Sequence, residues 1–139
     1  MFTTLYEKLS AIFSVTIGFL IGGWNTSLTI LICFMILDFI TGIIKAIKTA
    51  TLDSTKCRWG IFTKFLMFIP LILSNLISVF LNLDGAILNI CIIFYICSEG
   101  LSITENLIQI GIPLPEQLIN ILVKVQKENN NEITDKKEN

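Results

Sequence analysis

Between Leu9 and Leu37 the chain carries no charged side chain, a run of 29 residues. Crossing the ~30 Å hydrocarbon core of a bilayer takes ~20 residues at ~1.5 Å rise per residue. The apolar stretch resumes after Asp38 and reaches Ile47. The block from Leu5 to Ile47 therefore holds two helices, at about 5–22 and 26–47. Gly22-Gly23-Trp24-Asn25 near its middle is a tight turn, with Trp24 as an interfacial anchor. Charged residues make up 15% of the chain and hydrophobic residues 53%, with mean hydropathy +0.76. A soluble domain carries about 25% charged residues, and this chain has too little polar surface to cover its apolar material in water.

The remaining blocks follow the same pattern. Lys45, Lys48, Lys56, Arg58 and Lys64 crowd one connector against Asp53 alone. Short loops rich in Lys and Arg stay on the cytoplasmic side of a membrane. A third span follows over about 60–81, with Pro70 as a kink that membrane helices tolerate. Asn82-Leu83-Asp84-Gly85 is an external turn without Lys or Arg. A fourth span covers about 86–110, ended by Gly111, Pro113 and Pro115. The sequence thus predicts an all-α integral membrane protein with four transmembrane helices, or three if the first lies flat at the interface. Residues 1–115 form the transmembrane helical domain. Residues 116–139 form a cytoplasmic amphipathic helix and a tail expected to be disordered from Asn129. Leu118, Ile121, Leu122 and Val125 recur on one face of that helix, which reads as interfacial or partner-binding.

Several function classes drop out at this stage. Histidine is absent, so the commonest general acid–base group is missing. Cys33, Cys57, Cys91 and Cys97 show no metal-ligand or disulfide spacing. No catalytic residue, cofactor or metal is expected. A net charge of −1 gives no footprint for nucleic acid.

Two sets of residues stand out. Ser10, Ser14, Gly18 and Gly22 recur every four residues in the first span, and Gly42 continues such a pattern in the second. Small residues on one stripe let helix backbones approach closely. They serve either self-association or packing within one subunit. The second set is polar. Asp38 lies ~18 Å along the helix from Thr26, and Glu99 ~20 Å from Ala86, so both are at similar depth in the hydrocarbon. Ionisable groups there cost several kcal/mol unless paired or hydrated. Asp38 and Glu99 are expected to face the bundle interior and pair with Lys64 or Lys45. Ser102, Glu105 and Asn106 extend a polar stripe along the fourth span. Its role is either functional or confined to fixing helix register.

These residues carry a family resemblance. Asp38 to Ala46 (DFITGIIKA) looks like a D-x-x-T-G-x-x-K-A segment. Ser54 to Lys64 is similar to S-x-x-G-x-x-G-x-x-K-K, with Cys57 in place of the first Gly and Thr63 in place of the first Lys. Glu99 to Asn106 (EGLSITEN), followed by Gly111-Ile112-Pro113-Leu114-Pro115, matches E-G-x-S-I-x-E-N and G-x-P-x-P. With these motifs, the chain resembles the toxin-secretion and phage-lysis holins of Gram-positive bacteria, including the holin-like proteins beside large clostridial toxins. The resemblance covers about residues 37–115. It implies a homo-oligomer in the bacterial cytoplasmic membrane that opens lesions in the lipid bilayer. A cell-wall hydrolase (endolysin) or a large toxin then passes. The residues alone also admit a small transporter or channel, or an accessory membrane subunit.

Overall fold

A computed structural model describes residues 2–135, with side chains over residues 3–128. The described residues form six helices and no strand: α1 (Phe2–Ile21), α2 (Thr26–Lys48), α3 (Ser54–Leu66), α4 (Phe68–Phe80), α5 (Ala86–Ile110) and α6 (Glu116–Asp135). Four helical stretches are long and apolar enough to cross a membrane: Thr3–Ile21, Thr26–Lys48, Ser54–Phe80 and Ala86–Ile110.

The helix boundaries follow from local chemistry. After α1, Gly22 and Gly23 take left-handed φ values of +81° and +82°. Asn25 then caps α2, its side-chain oxygen accepting from Leu28 N–H at 2.8 Å. At the far end of α2, Ala50 adopts φ 54° while its N–H bonds to Ile47 O and Thr51 N–H to Ala46 O. This is the paired closure that satisfies a helix C-terminus. Asp53 caps α3 by accepting from Thr55 N–H at 2.7 Å. The third span therefore starts at Ser54, six residues before the expected Gly60. An Asp-Ser-Thr start outweighs the polarity of the first turns, which can project beyond the hydrocarbon. Pro70 lacks an N–H and its ring crowds the carbonyl four residues back. The helix breaks into α3 and α4 at Met67, between that carbonyl and Pro70.

The core sits between α2, α4 and α5, where Leu28, Leu31, Met35, Leu71, Leu88 and Ile92 are buried together. Leu31 and Leu71 are fully enclosed. Many other large apolar side chains are exposed, among them Phe13, Phe19, Ile69 and Phe80. Such a shell suits lipid, which removes any penalty for exposed hydrocarbon. Polar groups close the contacts that apolar packing leaves open. Buried Asn75 on α4 donates to Phe19 O at 2.7 Å and to Leu20 O at 3.1 Å, tying the end of α1 to α4. Ser78 Oγ accepts from Leu88 N–H at 3.3 Å near the start of α5.

Gly111 takes φ +93° and ends α5. Lys48 Nζ donates to Ile110 O there, setting a cation on the carbonyl end of the helix. After the short link through Pro113 and Pro115, α6 doubles back along α5. Leu122 of α6 packs on Gly100 of α5, whereas Leu118 and Ile121 of the expected apolar face stay exposed. The backbone of α6 remains helical to Asp135. The expected loss of structure from Asn129 is thus not seen as far as Asp135, and 136–139 lie outside the described residues. A helix already docked along one face extends at little further cost, because nucleation is the expensive step.

Candidate functional site

Three helices bring one residue each to a buried charge cluster. Asp38 on α2 and Glu99 on α5 both accept from Lys64 Nζ on α3. The Lys64–Asp38 distance is 2.7 Å. The Lys64, Asp38 and Glu99 side chains are 18%, 16% and 8% exposed, so water screens this cluster little. Measured from Phe80, Lys64 lies ~24 Å along its span at the helical rise, and its long side chain covers the remaining offset to the two carboxylates. One ammonium facing two carboxylates leaves a net negative charge whenever both are ionised.

Asn106 extends the cluster about two turns along α5. Its amide donates to Asp38 Oδ1 at 3.1 Å and to Thr41 Oγ1 at 3.2 Å. Thr41 in turn donates to Asp38 O at 3.1 Å. Among the described residues no buried side-chain polar atom lacks a hydrogen-bond partner. The interface between α2 and α5 is therefore specified by polar pairing as well as by packing. Gly42 faces the same interface, where a Cβ would lie 3.7 Å from the Asn106 amide nitrogen, an ordinary van der Waals contact.

The other expected residues separate into groups. Lys45 and Ser102 line a cleft beside the cluster, but Lys45 makes no ion pair among the described residues. Glu105 is exposed and stands apart from the cluster. Helical geometry explains this correction. Asn106 is seven residues from Glu99 and returns to the same face, whereas Glu105 is six residues away and points well off it. In α1, Ser10 and Ser14 are exposed and hydrogen-bond back to Glu7 O and Ser10 O. A Cβ at Gly18 would meet nothing within 4 Å. Gly22 does not continue that helical stripe; it belongs to the turn, where a Cβ would sit 2.5 Å from Leu88 Cδ2. Gly111 ends α5, and Pro113 and Pro115 lie in the link to α6.

Sequence reasoning missed Thr41, Asn75 and Lys48 as structural partners. Asn75 carried a readable signal, being the one amide side chain between Ser54 and Phe80.

A sequence profile described as the bacteriophage holin family matches residues 15–127. The chain belongs to the bacteriophage holin family. This holin-family chain is 38% identical to a probable holin of Bacillus phage phi105 over 102 residues, covering 73% of this chain and 76% of that protein. It is 42% identical to an uncharacterised protein of Bacillus subtilis, covering 73% and 72% of the two chains. It is 34% identical to an uncharacterised protein of Clostridium perfringens, covering 88% and 93%. No solved structure matches it. Family membership points to a non-enzymatic membrane protein with a holin role. The matched region contains Asp38, Lys64, Glu99 and Asn106 and most of α6.

Proposed function

We propose that this holin-family protein accumulates in the bacterial cytoplasmic membrane and then assembles into lesions. These give an endolysin access to the cell wall or release a large toxin. The basic connector and α6 lie on the cytoplasmic side, with the turns at Gly22–Asn25 and Asn82–Gly85 outside. Residues 1–115 act as the membrane domain.

The observation that carries this reading is the Lys64 ammonium held between Asp38 and Glu99 at mid-span depth. Buried charge in hydrocarbon marks a functional element by default. One elementary charge crossing the membrane field is worth about 2.3 kcal/mol per 100 mV. A cluster with unequal charge therefore feels the membrane potential and can favour different helix arrangements when that potential falls. The open strip of Ser10, Ser14 and Gly18 on α1 supplies a face for a second copy.

The test is controlled expression in a bacterium, following growth and membrane potential with and without a co-expressed endolysin. The expected result is a delay, then an abrupt loss of potential, advanced by an energy poison. Lysis accompanies it when endolysin is present. Continued growth with intact potential despite confirmed membrane insertion would overturn the proposal.

A further inference from the structure

Beside the charge cluster, α2, α3 and α5 enclose a cleft of about 330 Å³ that opens toward the basic connector. Its charged lining is Asp38, Lys45, Asp53, Lys56 and Lys64. Each carboxylate in this set accepts at least one hydrogen bond. Asp38 receives Lys64 on one oxygen and Asn106 on the other. Asp53 receives Thr55 N–H. Lys64 is held by the two carboxylates. Lys45 and Lys56 remain, without an ion pair among the described residues. Gly60 leaves the α3 wall open, since a Cβ there would meet nothing within 4 Å.

A second concavity adjoins the first. It is a groove of about 270 Å³ lined by Ile32, Ile36, Phe39, Ile61, Phe65 and Phe68, between α2 and the α3–α4 span. The two share Phe39 and Lys64. Along α2 the order is fixed: the groove begins at Ile32 and Ile36, and the cleft continues through Lys45. Cationic donors thus stand at the connector end, and an apolar channel leads from them toward the middle of the span.

We propose that these two concavities form one binding site for an anionic phospholipid. Its phosphate lies between Lys45 and Lys56, and one acyl chain lies in the groove past Phe39. Basic pockets between membrane helices take anionic headgroups, with each nearby Lys or Arg contributing to attraction. A free phosphate would use the cleft but leave the groove empty. A zwitterionic lipid would use the groove but bring its own cation to the two lysines. The anionic phospholipid satisfies both halves. The site requires only that the helices sit in a bilayer and is independent of lesion formation.

The test is native mass spectrometry of the full-length protein, released from micelles holding equal amounts of phosphatidylglycerol and phosphatidylcholine with identical acyl chains. Phosphatidylglycerol is expected to be retained preferentially. Lys45→Gln and Lys56→Gln should each lower that preference roughly fivefold, the effect of one lysine near an anionic lipid surface. Lys124→Gln, on the exposed face of α6, should leave it unchanged. Ile36→Trp, which fills the groove, should lower retention with both lysines intact. Circular dichroism checks that each variant keeps its helix content, and Lys56→Gln alters an exposed side chain outside the core. Equal retention of the two lipids, or an unchanged preference in both lysine variants, would overturn the proposal. So would displacement of phosphatidylglycerol by millimolar inorganic phosphate, which would reassign the cleft to a free anion.

Discussion

Leu122 of α6 packs directly over Gly100 of α5, so a side chain at residue 100 would crowd α6. A Cβ at Gly100 would lie 3.1 Å from Leu122 Cδ2 and 3.2 Å from a ring carbon of Phe34. A single Cβ needs only a few tenths of an ångström from Leu122 and Phe34, whereas a larger side chain must displace one of them. Gly100→Leu should therefore expel α6 while the core of α2, α4 and α5 stays formed. Overpacking at such a contact costs about 1–3 kcal/mol. Hydrogen exchange is the readout: amides of residues 117–128 should exchange faster in the variant, and those around Leu31 and Leu71 should not change.

Lys64 is shared by two carboxylates, so removing it differs in kind from removing one of them. Lys64→Met leaves Asp38 and Glu99 facing each other without a cation, and breaking a buried pair this way costs about 3–5 kcal/mol. Glu99→Gln leaves the Lys64–Asp38 pair in place and should be much milder. Thermal unfolding in detergent should rank the parent first, Glu99→Gln close behind and Lys64→Met last. A Glu99→Gln protein that folds like the parent and also triggers like it would remove the voltage-sensing role proposed for the cluster.

Asn75 holds α1 through two backbone carbonyls. Polar contacts between membrane helices are worth about 0.6–1.7 kcal/mol, so Asn75→Leu should loosen α1 without unfolding the bundle. Gly22→Ala should do more damage. Its backbone is left-handed, and the added Cβ would fall 2.5 Å from Leu88 and 2.7 Å from Asn75 Oδ1. Disulfide trapping between cysteines introduced at Phe19 and Val79 would report the contact, with trapping efficiency falling in the order parent, Asn75→Leu, Gly22→Ala.

A Cβ at Gly18 would meet nothing within 4 Å, so a small enlargement there acts on association rather than on folding. Gly18→Ala should leave the unfolding free energy within about 0.5 kcal/mol of the parent, as for substitutions that meet no neighbour. Chemical crosslinking in membranes should show fewer oligomers, with a later loss of membrane potential. Unchanged crosslinking would mean that the strip of Ser10, Ser14 and Gly18 is not the association face.

The spans were largely legible in the sequence because hydrocarbon imposes a simple rule on length and polarity. α1, α2 and α5 lie where long apolar runs and Gly or Asn turns place them. The third span was read six residues short. Its first turns are polar, and the Asp53 cap is a local signal outside the hydropathy pattern. The charge cluster was half legible. Depth alone aligned Asp38 with Glu99, but Lys45 and Lys64 were equivalent candidates until α3 was set against α2 and α5. Glu105 belongs with the polar stripe by its depth along the span, but the 3.6-residue period turns it away from Glu99.

The sequence by itself determined that the chain is helical, that it has four helices able to cross a membrane, and roughly where they lie, the start of the third apart. These properties depend on backbone hydrogen bonding within a segment and on transfer of that segment into lipid, both of which are local. Only the tertiary structure decided that Lys64 serves both carboxylates, that Asn75 reaches the carbonyls of Phe19 and Leu20, and that α6 folds back onto Gly100. Those contacts join residues distant in the chain through side chains a few ångströms long. Their choice depends on how the helices are rotated and offset against one another, which periodicity within any one helix leaves open.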